Sequence, residues 1–369
     1  MYNYKRILVI ATQEIGDVLL ATPLLRTLRF AYDDARIDIM VFNGTEDVLD
    51  GNLDVNNIIA VPRSPRNIES IKIIARILLK YDLAIVTQGG DRAFTYGVLS
   101  ARQCIGMVPD RKLKNLWKRL LCKHYTILDD ISTHTITQNL LLSDKLHLTP
   151  ITIVSPPMAY LPKNIEENIK RPYCVIHLMP RMPYKEWPLE RWHTLIGKLV
   201  EKGYHVYLTG KGDNDLDAAA KVSDIYHGKV FNMVNRLSFG GVTKLLHGAS
   251  FYVGPDTSIT HIAAATGVRT VALYGPSNPV KWGPWPASYN GKLMRSPYKL
   301  YGYPWQKAGN VILLQGVQPC VPCREEGCER NIMSKSKCLY SITEHTVLLA
   351  IETLLDDRPE WYRDIANDN

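Results

Sequence analysis

The stretch YVGPDTSITHIAAATGVRTVALYGPSNPVKWGPW, Tyr252 to Trp285, reads as one strand–helix–strand unit. Phe251 to Val253 closes a short apolar strand. Pro255, Asp256, Thr257 and Ser258 break it and offer the oxygens that accept orphan N–H groups of a first helical turn. Ile259, Ile262, Ala263 and Thr266 recur at helical spacing, and Gly267 supplies a stop. Thr270 to Tyr274 is a second strand of β-forming residues apart from Ala272, and Gly275 to Pro279 is the loop at its carboxyl end. Open α/β sheets bind ligands beyond the carboxyl ends of their strands, where helix N-termini present N–H groups and a partial positive charge. Asp256, Thr257, Ser258 and His261, with Gly275 and Ser277 opposite, are therefore expected to line an anion site suited to a diphosphate. The plainer alternative is that Asp256 and Thr257 only cap a helix and His261 is a half-buried core histidine.

The same alternation recurs on both sides of this unit. Arg6 to Ala11 is a continuous apolar strand of the kind covered on both faces. The loop Thr12 to Asp17 follows, and then a helix from Val18 in which Pro23 is tolerable only near a start or at a kink. Strands at Ile37 to Phe42, Ile58 to Val61, Leu83 to Thr87 and Cys104 to Met107, with a helix at Ile68 to Leu79, complete a Rossmann-like pattern. No Gly-x-Gly-x-x-Gly follows the first strand, which argues against a dinucleotide cofactor. A second alternation runs from a strand at 173–178 through helices at 189–202, 213–223 and 239–248. The expected architecture is α/β, two Rossmann-like domains facing across a cleft. Their bounds are 1–155 and 173–342, with a proline-rich linker at 156–172 and a C-terminal helix and tail at 343–369. Residues 295–342 read as irregular, and the last helix is expected to pack back on the first domain.

The chain has 369 residues, 46% hydrophobic and 22% charged, enough for two cores. Its net charge of +8 is scattered, which suits phosphorylated substrates or an anionic membrane surface without favouring nucleic acid. The apolar run near the N-terminus is too short for a signal peptide, and no run reaches the roughly 18 apolar residues of a membrane span. A cytoplasmic protein is expected, peripheral on the inner membrane at most. Residues 109–132 interleave Arg111, Lys112, Lys114, Lys118, Arg119 and Lys123 with Leu113, Leu116, Trp117, Leu120 and Leu121. Such a pattern can lie on a membrane surface; the alternative, favoured here, is a helix packed on its own domain with a solvated basic face.

Three elements converge: Gly16-Asp17 opening the first helix, Lys185-Glu186-Trp187-Pro188 ahead of the first helix of domain two, and Asp256-Thr257 through His261 followed by Tyr274-Gly275-Pro276-Ser277. Together they resemble glycosyltransferase family 9, the lipopolysaccharide heptosyltransferases, over residues 5–30, 173–285 and more loosely 318–342. The resemblance implies a two-domain GT-B fold and inverting, metal-independent transfer from a nucleotide sugar, ADP-heptose in the best-known members. No cofactor is implied. The acceptor would be a lipid-linked glycan such as a lipopolysaccharide core. Asp17 at a strand end is then the candidate base on the acceptor hydroxyl; by position alone it equally complements the helix dipole. Lys185, with Arg181 adding to it, is the candidate cation for the departing diphosphate. Gly16 and Arg92 are candidates on the acceptor side. Ser258 stands where family members usually carry Gly, and the hydroxyl residues often found before the Lys are replaced by Met179 to Pro183. A non-catalytic sugar-nucleotide binder and a GT-B-like sugar-nucleotide epimerase are the competing readings.

Four cysteines, Cys320, Cys323, Cys328 and Cys338, cluster late. Thiols at such spacing can hold zinc or an iron–sulfur cluster; reduced thiols or a loop disulfide are the more ordinary reading, and no catalytic metal is expected.

Overall fold

The computed structural model describes residues 3–356 except 112, 159 and 290–294. The polar tail beyond residue 356 lies outside the described residues. They fall into two compact units: the first ends at Met158 and takes in Arg295 and Ser296, and the second holds the rest.

The first unit is built on six parallel strands: β1 (Arg6–Ile10), β2 (Arg36–Phe42), β3 (Asn57–Val61), β4 (Tyr81–Val86), β5 (Ala101–Val108) and β6 (His124–Ile127). Their order, β3-β2-β1-β4-β5-β6, is the doubly wound one. Ile7, Leu8, Val9 and Ile10 are all fully buried, because helices cover β1 on both faces. Ala21 separates two helices, Ile15–Leu20 and Thr22–Ala31, and Pro23 occupies the first turn of the second, where its missing N–H costs no hydrogen bond. The edge strand β6 and the helix Asp91–Ser100 escape the sequence reading. β6 is four residues of mixed polarity, three of them exposed, so no clear period marks it.

The second unit repeats the plan with β7 (Tyr173–His177), β8 (His205–Thr209), β9 (Val230–Asn232), β10 (Tyr252–Pro255), β11 (Thr270–Tyr274), β12 (Trp305–Ala308) and β13 (Val311–Gln315). The order is β12-β13-β11-β10-β7-β8-β9, parallel except for the antiparallel edge pair β12–β13. The expectation of irregular structure across 295–342 is thereby corrected. VILLQ at 311–315 is a five-residue, fully buried run and forms a central-type strand against β11; surrounding glycines and prolines hid it.

The last helix, Glu344–Asp356, does not pack on the first unit as expected. Val347, Ile351 and Leu354 enter the core of the second unit with Trp187, Trp192 and Leu195. Arg191 pairs with Glu344 at 2.8 Å and the Trp187 indole donates to the Ile342 carbonyl at 2.9 Å, so the approach to this helix is anchored by polar and apolar contacts together. The 156–172 stretch divides. Met158 N–H bonds the Asp50 carbonyl in the first unit, whereas Ile165 is buried and Lys170 N–H bonds the Tyr207 hydroxyl in the second. Among the described residues no helix is long and apolar enough to cross a membrane.

Candidate active site

In the second unit, β10 ends at Pro255 and the helix Ser258–Thr266 begins three residues later, closed by Gly267 in the left-handed region at φ 82°. Thr257 occupies the N-cap position, yet its side chain makes no capping hydrogen bond. Asp256 does not cap the helix either. Its carboxylate accepts from Lys185 Nζ at 2.7 Å and from Ser277 Oγ at 2.5 Å. The capping alternative therefore does not describe Asp256, and the helix start keeps the N–H groups and positive potential that favour an anion.

Lys185 lies in the single 3-10 turn Pro183–Lys185. It is held there because Trp187, two residues on, is 1% exposed and packs edge-on to Trp192 at 4.7 Å. The Lys-x-Trp-Pro spacing thus drives the indole into the core and leaves the ammonium at the carboxyl ends of the strands. Arg181 is exposed in the loop after β7. Gly275 leaves no room for a side chain unless Leu339 shifts: a Cβ there would lie 2.9 Å from Leu339 Cγ. Gln315, at the end of β13, donates to the carbonyls of Gly275 and Ser277 at 3.2 and 2.9 Å and so fixes the loop that presents Ser277. Gln315 belongs to none of the sequence motifs; its one signal is that it is a polar residue ending an otherwise apolar buried strand.

Burial alone would raise the Asp256 carboxyl, but Lys185 and Ser277 outweigh it and hold it below its ordinary value. His261, 6% exposed, is pushed down to about 4 by burial and stays neutral despite Asp256. Its Nδ1 has no hydrogen-bond partner among the described residues, an uncommon condition for a buried ring nitrogen.

In the first unit, Gly16 and Asp17 open the helix Ile15–Leu20, and the Asp17 carboxylate accepts the Glu14 backbone N–H at 3.3 Å. Asp17 therefore does complement the helix start, and it does so at the carboxyl end of β1. Glu14 pairs with Arg63 at 2.6 Å, and Arg92 donates to the Arg63 carbonyl at 2.5 Å. Gln88 donates to the Thr12 hydroxyl. Loops after β1, β3 and β4 thus bring Gly16, Asp17 and Arg92 to one sheet edge. Glu14, Arg63 and Gln88, which make the links, carry no pattern in the sequence because they come from three separate loops.

A sequence profile of glycosyltransferase family 9 (heptosyltransferase) matches residues 72–300, more than half of the chain. The chain belongs to glycosyltransferase family 9. This family 9 member is accordingly a glycosyltransferase. It is 28% identical to lipopolysaccharide heptosyltransferase 3 of Escherichia coli K12 over 291 residues, covering 73% of this chain and 82% of that protein. In fold it is similar to a family 9 glycosyl transferase from Veillonella parvula DSM 2008, with a TM-score of 0.73, 22% identity and 96% and 98% of the two chains covered. The E. coli ADP-heptose lps heptosyltransferase II superposes with a TM-score of 0.69 at 18% identity over 95% and 98% of the chains. The fold is GT-B, with the two Rossmann-like units expected from the sequence.

The four late cysteines of the family 9 chain are free thiols, Cys338 buried and Cys320 and Cys328 exposed. Burial, reinforced by the three neighbouring thiols, pushes Cys338 up to about 12. Among the described residues no group of three or more His, Cys, Asp or Glu side chains is placed to hold a metal ion.

A pH dependence of stability follows from the buried histidines. His177, which hydrogen-bonds the Thr209 carbonyl through Nδ1 at 2.9 Å, is also pushed down to about 4 by burial. The unfolded chain takes up protons below the ordinary histidine value of 6.5, whereas the folded chain does not until about 4. Stability is therefore present above 6.5 and lost as pH falls toward 4, by roughly 2 kcal/mol per histidine near pH 5. Asp215, which burial raises to about 6, acts in the opposite sense and offsets part of this. Urea midpoints are expected to fall between about pH 7.5 and about pH 5; equal midpoints would contradict the two neutral, buried rings.

Proposed function

We propose that this chain transfers a heptosyl group from ADP-heptose to a lipopolysaccharide core or a related lipid-linked surface glycan, with inversion and without a metal ion. The observation that carries the proposal is the Lys185–Asp256–Ser277 cluster at an uncapped helix start, beside the unsatisfied Nδ1 of His261. Asp17 accepts the proton of the acceptor hydroxyl as its oxygen attacks the anomeric carbon. The bond from that carbon to the diphosphate oxygen breaks, and the nucleoside diphosphate departs with both electrons. Lys185 and the N–H groups of Thr257 and Ser258 stabilise the growing negative charge. Asp256 aims Lys185 and, with His261, Gly275 and Ser277, shapes the donor side; Arg181 adds positive charge. Gly16 and Arg92 serve the acceptor side. No cofactor takes part beyond the nucleotide-sugar substrate. The acceptor is anchored in a bilayer, so the enzyme works at the cytoplasmic face of the inner membrane as a peripheral protein.

The test is a thermal-shift screen against ADP-heptose and against UDP-, GDP- and CDP-sugars, with and without EDTA. Ligand at 100 times its Kd stabilises the fold by about 2.7 kcal/mol. A shift with ADP-heptose alone, unchanged by EDTA, is expected. A shift with another nucleotide sugar only would replace the donor, and a shift abolished by EDTA would overturn metal independence.

A further inference from the structure

We propose that the basic, leucine-bearing surface formed by Arg111 and residues 113–127 of the first unit is a docking surface for a bilayer rich in anionic lipid. The helix Leu116–Leu121 is inside out for a helix in water. Its lysine, Lys118, is 1% exposed, whereas Leu116, Leu120 and Leu121 are 51%, 73% and 54% exposed, and Leu113 just before them is 93% exposed. A single exposed leucine needs no explanation, but four within nine residues form an apolar patch. The edge strand β6 extends it with the exposed side chains of Tyr125 and Ile127. The helix cannot relieve this by rotating. Lys118 Nζ donates to the Gly89 carbonyl at 2.5 Å, pairs with Asp91 at 2.6 Å and lies over the rings of Phe94 and Trp117. Turning the leucines inward would pull that ammonium from its partners. The helix does pack on its own domain through Trp117, and Arg111, Lys114 and Lys123 are exposed, as the favoured reading has it; what that reading lacks is that Lys118 turns inward and the leucines face outward with the other cations.

The charges around the patch select the occupant. Arg111, Lys114 and Lys123 are exposed beside the leucines. Across residues 109–127 the sequence has six Lys or Arg and one acid, Asp110, which already pairs with Arg119 at 3.6 Å. A second copy would set cations against cations, whereas an anionic bilayer complements them and accepts the leucines below its headgroups. This deepens the reading of a bilayer-borne acceptor and rests on it only for its purpose.

The experiment is co-sedimentation of the full-length protein with phosphatidylcholine vesicles, with and without about one-third phosphatidylglycerol. Binding to the anionic vesicles alone is expected, weakening with salt. The triple variants Leu113→Gln/Leu116→Gln/Leu120→Gln and Arg111→Gln/Lys114→Gln/Lys123→Gln are each expected to lower the partition coefficient about tenfold or more. Both should keep the donor-induced thermal shift, so a failure here is separable from a failure of the donor assignment. Vesicle binding unchanged in both variants would overturn the proposal. So would a wild-type protein that does not bind the anionic vesicles, whether or not it forms a dimer that the leucine variant splits.

Discussion

Asp17→Asn is expected to lower kcat by about a hundredfold to ten-thousandfold, the usual worth of a positioned general base, while ADP-heptose binds with unchanged affinity. The substitution separates two roles that fall on one side chain. Asp17 accepts the Glu14 backbone N–H at 3.3 Å and so stabilises the start of the helix Ile15–Leu20. Asn retains an oxygen that can accept that bond, so the fold and the loop persist. What Asn cannot do is take up the acceptor's proton. If Asp17 only complemented the helix, Asp17→Asn would turn over normally, and Asp17→Ala would cost stability of about 1 kcal/mol without a specific loss in kcat. The decisive measurement is kcat for Asp17→Asn at saturating donor, with the thermal midpoint of the same sample as the control for folding. Near-normal kcat removes Asp17 as the base.

Lys185→Met is expected to damage both stability and donor binding. The Asp256 side chain is 6% exposed and relies on Lys185 at 2.7 Å and Ser277 at 2.5 Å. Removing one partner of a fully buried ion pair costs roughly 3–5 kcal/mol, because the other charge stays desolvated. The cost here is smaller than that limit, since Lys185 keeps 25% of its side chain exposed. The sign of the pH dependence also changes. In the native protein the Asp256 carboxyl sits below its ordinary value, so its contribution is present above that value and lost as pH falls. Without Lys185, burial dominates and raises the carboxyl, so the variant loses stability as pH rises. Adding Asp256→Asn removes the stranded charge and is expected to restore much of the stability but not donor affinity, which should remain at least about tenfold reduced. Urea denaturation at two pH values, with calorimetric donor binding on both variants, checks the pair. A single variant as stable as wild type would show that Asp256 does not depend on Lys185.

Much of this molecule was legible from local order along the chain. Ile7 to Ile10 and Thr270 to Tyr274 are apolar runs whose only stable place is a sheet covered on both faces, and the turns after them mark where ligands gather. Lys185 and Asp256 could be named because each lies within a few residues of such a turn, and the motifs around them carry the family resemblance. β13 gives no clear signal in the sequence because its five residues sit among glycines and prolines, although all five are buried. Local pattern was thus enough for the alternating architecture, the two sheet edges and the residues at them. Three outcomes waited on packing. Asp256 spends its charge on Lys185 rather than on capping a helix. The last helix follows Trp187 and Trp192 into the second unit. Lys118 is buried while its neighbouring leucines face out. One cause is common to all three. Each turns on a partner distant in sequence, an ammonium, an indole pair or a carboxylate, and periodicity reports which face is apolar without saying what will meet it.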